Sequence, residues 1–225
     1  MDYWADGTWF SKSTLDAKNH MTVQQSDMLG RLLRVVEYSG NGVAQPQGEG
    51  LHTPYSYTNY AYNPLDLLTT VTDGMGKTSA TIQYDSLGRK TAMTDLTMGT
   101  WSYGYDVDGN LTQQTDATNQ TIRFQYDALN RLTRKCLGAG ADCANPSPTE
   151  DFLFGYDQSG TGYANGKGQR TSMSRWQGAG GTGTRTSLAK WQYDARGQST
   201  HSSYTLETQP ERTMVQSYDS GGRLL

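Results

Sequence analysis

Short stretches in which apolar and polar residues alternate recur along this chain of 225 residues. Ile122, Phe124 and Tyr126 occupy every second position, so they would share one face of a β-strand. The aromatic residues of segments 101–105 and 152–156 follow the same period of two. This pattern predicts an all-β chain of short strands.

Each alternating stretch runs directly into a tight turn. In the segment 85–88, Asp85 can accept hydrogen bonds from the amides of its own turn, and Gly88 can adopt the positive φ that reverses the chain. Asn130 takes the place of glycine in a later turn, and asparagine tolerates a positive φ better than most residues. Segment 89–94 then has the composition of a returning strand, so each unit is predicted to be a β-hairpin.

A tyrosine–aspartate pair introduces these turns in a fixed frame. Tyr84, Tyr105 and Tyr126 are 21 residues apart, and the pair returns at wider spacing further on. A fixed period of this size indicates a repeat architecture. The positions that we assign to the repeat are Tyr84, Asp85, Gly88, Arg89, Tyr105, Asp106, Gly109, Tyr126, Asp127, Asn130, Arg131, Tyr156, Asp157, Tyr193, Asp194, Gly197, Tyr218, Asp219, Gly222 and Arg223.

The repeat also predicts how the units are organised. A lone hairpin is only marginally stable in water, so successive hairpins are expected to stack edge to edge in an open antiparallel sheet. We predict a single array over residues 1–225. Residues 1–61 hold degenerate repeats and a long loop, residues 62–136 hold regular 21-residue repeats, and residues 137–225 hold repeats with Gly-rich insertions.

Composition predicts that the sheet has a thin core. Leu, Ile, Val and Phe together supply 32 residues, about 14% of the chain, a level typical of disordered proteins. The 15 Tyr and 5 Trp residues and a net charge of only −3 oppose disorder, because large aromatic rings can pack while their polar ends stay hydrated. We therefore expect an ordered, aromatic-rich β structure.

The near-neutral charge argues against two classes of partner, nucleic acid and anionic membranes. There is no run of Lys or Arg that could neutralise successive phosphates, which argues against nucleic acid. The N-terminal residues carry no apolar signal-peptide segment, and the most apolar window, 32–36, is interrupted by Arg34 and too short to span a bilayer. The chain is expected to be either cytosolic or an internal part of a longer exported protein.

The recurring phrases, seen most clearly in segments 84–89 and 126–131 with their joining Thr-Asp turns, resemble the YD-repeat (Rhs) family. The resemblance implies a curved, spiralling open sheet that forms part of a hollow shell. In bacterial polymorphic toxins and insecticidal toxin complexes of this family the shell encloses a C-terminal toxic domain, and related repeats build the shell of teneurins. The implied partners are the rest of such a shell or an encapsulated toxin polypeptide, and the implied location is secreted or at the cell surface.

The sequence also departs from that family. The core segment that ends the shell, with the aspartates that release the toxin, has no counterpart that we find before Leu225. No catalytic residue can therefore be transferred to this chain, and no cofactor is expected. We expect a non-catalytic shell segment or a truncated member of the family, with open strand edges that favour self-association.

An alternative function is a surface module that binds a glycan or a cell-surface receptor through exposed aromatic residues such as Trp176 and Trp191. The period instead favours the interpretation that Tyr84, Tyr105 and Tyr126 stack on one another as a structural spine. An enzyme is the third hypothesis, although no motif supplies a nucleophile, a base or a metal.

Two segments resemble motifs with known chemistry but lack residues or flanking elements that those motifs require. Segment 106–110 begins like a calcium loop, but Leu111 and Ala117 stand where an EF-hand needs Gly and Glu. Segment 178–183 spells G-x-G-x-x-G, yet its flanks do not predict the strand and helix that a nucleotide-binding loop requires. A hairpin turn and a flexible loop account for these segments.

The cysteines and histidines give only weak signals. Cys136 and Cys143 could close a small loop in an oxidising compartment, while two thiolates with no histidine nearby make a poor zinc site. The three histidines have no partners nearby in the sequence that would form a catalytic group, and surface roles are expected for His20, His52 and His201.

Overall fold

The computed structural model describes residues 3–5, 9–18, 20–39, 53–138, 143, 148–179 and 183–225. Seventeen β-strands and no helix occur within these ranges. The strands are β1 Tyr3–Ala5, β2 Trp9–Leu15, β3 Met21–Asp27, β4 Leu32–Ser39, β5 Thr53–Tyr62, β6 Leu68–Asp73, β7 Thr78–Tyr84, β8 Lys90–Asp95, β9 Gly99–Tyr105, β10 Leu111–Thr115, β11 Thr121–Tyr126, β12 Leu132–Leu137, β13 Glu150–Tyr156, β14 Arg170–Gln177, β15 Thr184–Tyr193, β16 Ser199–Leu206 and β17 Arg212–Val215.

The chain divides into two compact units, Met1–Trp101 and Ser102–Leu225. In the first unit, each strand from β1 to β7 pairs antiparallel with the strand that follows it. In the second unit, residues 102–105 of β9 pair with β10, and the same antiparallel order continues to β17. The predicted all-β class and the stacked antiparallel hairpins are thus confirmed.

A β-bulge accompanies most of the tyrosine–aspartate turns. Tyr126 pairs with Leu132 while Gln125 pairs with Arg134, so Thr133 is the extra residue of the returning strand. Its Oγ1 donates a hydrogen bond of 3.1 Å to the Gln125 carbonyl. Equivalent threonines donate in the same way at Thr69, Thr171 and Thr200. Because bulges increase local twist, each turn also bends its hairpin.

The apolar core is small in both units. In the first unit, Met21, Val23 and Val36 are buried together, with Tyr38 and Tyr57 packed against them. A strand with one covered face would alternate between buried and exposed positions, but every residue of β6 and of β11 is half-buried. Neighbouring side chains within the sheet therefore cover one another, which makes strand pairing and turn chemistry the main sources of order.

A disulfide fastens the loop that follows β12. Cys136 and Cys143 are joined with their Cα atoms 6.0 Å apart, and both residues are buried. Replacing both cysteines with serine should lower the free energy of unfolding by about 2 kcal/mol, because a closed loop of this size restricts the unfolded chain. Urea denaturation measures the loss. Two free thiols detected by mass in protein isolated without reductant would contradict the disulfide.

Candidate functional site

The turn at residues 85–89 satisfies its own polar groups. Asp85 Oδ1 accepts hydrogen bonds from the amides of Leu87 at 3.0 Å and Arg89 at 2.9 Å. The Asp85 amide donates to the Arg89 carbonyl, and the Gly88 amide donates to the Asp85 carbonyl, both at 3.0 Å. Gly88 has φ 78°, in the left-handed region. One aspartate and one positive φ therefore account for the reversal of the chain.

The same geometry recurs at other assigned positions. The aspartate amide donates to the carbonyl four residues later at Asp106, Asp127, Asp194 and Asp219. The residue before that carbonyl has a positive φ in each case, at Gly109, Asn130, Gly197 and Gly222. Asp157 differs, because an insertion follows it: Asp157 itself has φ 57°, and its carboxylate accepts the Gly168 amide at 2.6 Å.

Most tyrosines of the pairs donate a hydrogen bond from the hydroxyl to a backbone carbonyl of the neighbouring strand. Tyr84 donates to the Leu68 carbonyl at 2.8 Å and Tyr126 to the Leu111 carbonyl at 3.0 Å. Each acceptor is the first residue of the strand that returns from the preceding turn, which begins with Tyr62-Asn63 in the case of Leu68 and with a tyrosine–aspartate pair in the case of Leu111. Equivalent bonds run from Tyr156 to Leu132, from Tyr193 to Arg170 and from Tyr218 to Ser199. The hydroxyl thus fastens one turn to the next, while the stacking of the rings on one another stays a prediction.

An arginine at the end of the turn makes a second connection, whose role the sequence analysis missed. Arg131 donates from Nε to Asp127 of its own turn at 2.7 Å and lies 2.7 Å from the carboxylate of Asp157. Its guanidinium lies 4.5 Å from the centre of the Tyr156 ring. We call this set of contacts the arginine bridge. It links consecutive turns through charge and through a cation–π contact.

The first unit contains a second arginine bridge. Arg31 lies 2.6 Å from Asp27 and 2.6 Å from Asp66, and its guanidinium is 5.4 Å from the Tyr62 ring centre. The signal in the sequence is an arginine four residues after the turn aspartate, as in the pairs 27 and 31, 85 and 89, 127 and 131, and 219 and 223. Spacing alone does not reveal that the guanidinium reaches the next turn.

The bridges perturb the acidity of the groups that they join. Hydrogen bonds from Arg131 to Asp157 and Asp127 raise the pKa of the guanidinium. The Arg131 amide, followed by its side chain, lowers the pKa of Asp127, although desolvation acts against this shift. The Arg131 side chain is the largest cause that lowers the pKa of Asp157. The carboxylates therefore stay charged at neutral pH.

We expect stability to be lost in acid. The Arg89 amide lowers the pKa of Asp85 below its ordinary value of 3.8, and the Arg223 amide does the same to Asp219. A carboxyl with a lowered pKa stabilises the fold above 3.8 and loses that contribution as the pH falls through the folded pKa. The melting temperature should be flat near neutrality and fall from about pH 5 downward.

Asp127→Asn tests this pH dependence, because Asn63 already accepts the amides of Leu65 and Leu67 at 2.9 and 3.0 Å in an equivalent turn. The variant should keep the turn but show a smaller acid transition. Calorimetry from pH 7 to pH 3 gives both curves. An acid transition of the same size in the variant would exclude Asp127 as a contributor.

The remaining candidates are the three histidines, two of which lie in the part of the chain that the structure describes. His20 Nδ1 lies 3.0 Å from Asp16, His201 Nδ1 lies 3.2 Å from Thr200 Oγ1, and His52 is outside the described residues. Across the described ranges, no group of three or more His, Cys, Asp or Glu residues could hold a metal ion. No helix in that same portion has the length and apolarity of a membrane span.

The Gly-rich segment and the two tryptophan candidates, Trp176 and Trp191, belong to the second unit. Residues 178 and 183 lie between β14 and β15, which pair antiparallel, while residues 180–182 are outside the described part. The Trp191 ring is covered by Arg170, whose guanidinium is 4.9 Å from its centre. Trp176 lines two cavities of about 540 and 300 Å³, both of which also include Glu207.

These features define a class of protein: a β structure built from repeated hairpins whose side chains serve mainly to join one turn to the next. The family model described as RHS Repeat matches residues 62–96 and 100–135. The resemblance to the YD-repeat (Rhs) family that the sequence predicts is thus confirmed, and the two matched stretches together hold 71 of the 225 residues.

A solved structure with a TM-score of 0.50 has a similar fold. The crystal structure of TcdB2-TccC3-TEV matches with a TM-score of 0.50 and 16% identity over 96% of this chain. The crystal structure of TcdB2-TccC3-Cdc42 matches with a TM-score of 0.47 and 16% identity over the same share. The chain spans only 14% of the length of each of these proteins. No curated protein gives a significant sequence match.

Proposed function

We propose that the chain is a non-catalytic wall segment of an Rhs shell that surrounds or shields a toxin-like polypeptide. The observation that carries the proposal is the series of paired hairpins whose strands are half-buried along their length, as in β6 and β11. Such a sheet has little core of its own and suits a wall. The family resemblance supplies the enclosed partner, and the exported location follows from the same resemblance.

The chemistry of the turns supports a structural role. The aspartates, tyrosines and arginines of the repeat are engaged with backbone or with one another, as at Asp127, Tyr126 and Arg131. A catalytic carboxylate would instead be expected to face a cleft with a perturbed base or acid beside it. The bridges stabilise the charged carboxylate, which favours a fixed ion pair over proton transfer.

A protection assay tests the proposal. The chain is co-expressed with a candidate toxin polypeptide, and the purified complex is digested with proteinase K. We expect the polypeptide to survive digestion when the wall is intact and to be cut when an Asp127→Ala, Arg131→Ala variant loosens the sheet. Digestion at the same rate with and without the chain would overturn the proposal.

A glycan-binding surface is the second candidate, and the observation in its favour is Trp176 beside two cavities. Both cavities hold hydroxyl and carboxylate groups that could bind sugar hydroxyls, and Arg185 lies over the Trp176 ring at 6.0 Å. Titration of tryptophan fluorescence with cell-wall polysaccharides tests it. Saturable binding that is lost in Trp176→Ala but kept in Trp191→Ala would favour this function over a passive wall.

A further inference from the structure

One turn of the second unit lacks the arginine that bridges turns elsewhere. Asn110 occupies the position that Arg31 and Arg131 hold in their own turns. Its Nδ2 donates to Asp106 Oδ2 at 3.0 Å and to Asn130 Oδ1 at 2.9 Å. The short amide side chain carries no charge, so residue 110 cannot supply a guanidinium to the next turn.

A cavity lies at this place. It measures about 600 Å³ and is open to solvent. Three carboxylates line it, those of Asp106, Asp108 and Asp127, together with the side-chain amides of Asn110 and Asn130 and the ring of Tyr126. The Asp108 side chain is at the exposed tip of the turn and forms none of the ion pairs seen in the described residues.

The next turn shows which group occupies the equivalent position. There, Arg131 reaches the following aspartate, Asp157, at 2.7 Å and stacks at 4.5 Å from the following tyrosine ring, Tyr156. Tyr126 and Asp127 are the corresponding groups one turn earlier, and both line the cavity. Asp127 is paired with Arg131 of its own turn at 2.7 Å, but the preceding turn supplies no guanidinium to it because residue 110 is asparagine. Burial raises the pKa of Tyr126, and the negative charge of Asp106 adds to the rise, so the local potential favours a cation.

We propose that this cavity binds the guanidinium group of an arginine side chain from a partner polypeptide. The guanidinium would pair with the carboxylate of Asp108, share the carboxylate of Asp127 with Arg131, and stack on the Tyr126 ring. Arginine fits better than lysine, because a planar fork can meet two carboxylates and an aromatic face together, whereas an ammonium is a compact and strongly hydrated charge. The partner would thereby complete the row of bridges in trans.

The test uses the whole chain and the probe N-acetyl-arginine amide, with the matching lysine and citrulline amides as controls. Binding is followed by NMR shifts of the side-chain amide of Asn110. We expect saturable shifts with the arginine probe, and binding at least about tenfold weaker with lysine or citrulline. Equal binding of the citrulline probe, or no saturation with arginine, would overturn the proposal.

Asn110→Arg provides the decisive variant, since arginine occupies the same position in equivalent turns of this chain. It should fill the cavity in cis, raise the melting temperature and prevent binding of the probe, which is followed for this variant by the shift of the Tyr126 ring. Asp108→Asn should weaken binding without changing the melting temperature, because Asp108 is an exposed turn residue. Binding that is unchanged in both variants would place the probe elsewhere and refute the site.

Discussion

Replacing Arg134 with methionine is expected to lower the free energy of unfolding by about 3–5 kcal/mol, because the substitution removes the guanidinium that pairs with a buried carboxylate. Asp151 has 0% exposure, and Arg134 Nε lies 3.0 and 2.9 Å from its two oxygens. Arg134 Nη2 also donates to the Cys143 carbonyl at 3.1 Å. The guanidinium therefore holds together β12, β13 and the disulfide loop. Urea denaturation followed by tryptophan fluorescence measures the change.

Two further variants separate the buried charge from the loss of a long side chain. Arg134→Met combined with Asp151→Leu should recover most of the stability, because a buried ion pair can often be replaced by apolar residues at little cost. Arg175→Met removes a pair with Glu150 in which the side chains are 48% and 36% exposed, and should cost less than about 1 kcal/mol. Equal losses for Arg134→Met and Arg175→Met would refute the buried-pair explanation.

The features that could be predicted from the sequence are those that depend on neighbouring residues. Alternation in segment 121–126 predicts a strand because side-chain direction in a strand has a period of two. Asp85 and Gly88 predict a turn because the hydrogen bonds and the φ that they require lie within five residues. Composition also indicated the thin core, since few aliphatic residues are available to build one.

The contacts that the sequence did not predict depend on the pairing register. Thr133 follows Tyr126 by seven residues, as Thr69 follows Tyr62 and Thr91 follows Tyr84, so the signal was present. The spacing does not show that this threonine is a bulge residue, because a bulge is defined only relative to the partner strand. The carbonyl that accepts each tyrosine hydrogen bond is likewise determined by the register of the two paired strands.

The pair formed by Arg134 and Asp151 shows the same limit over a longer distance. The two residues are 17 positions apart, on either side of an insertion. The pairing of β12 with β13 sets Arg134 opposite Leu153 and Cys136 opposite Asp151, which brings the charges together. Local spacing gives no such alignment, so a buried ion pair of this kind requires the sheet register to be known first.

Tyr126→Ala should lower the free energy of unfolding by about 3 kcal/mol. The half-buried ring is expected to contribute about 2 kcal/mol, less than the value for an aromatic side chain removed from a full core. The hydrogen bond from its hydroxyl to the Leu111 carbonyl, at 3.0 Å, is expected to contribute about 1 kcal/mol. Urea denaturation of the variant and of the unaltered chain gives the difference.

Tyr126→Phe divides this loss into its two parts, since it keeps the ring and removes only the hydroxyl. We expect it to cost about 1 kcal/mol. Tyr204→Ala, at a site with 47% exposure and outside the tyrosine–aspartate pairs, is the matched control and should cost about half as much as Tyr126→Ala or less. If Tyr126→Ala and Tyr204→Ala were equally mild, the repeat tyrosine would not join neighbouring turns. If Tyr126→Phe alone reproduced the full loss, the hydroxyl rather than the ring would hold them, and ring stacking would have no part in the stability of the sheet.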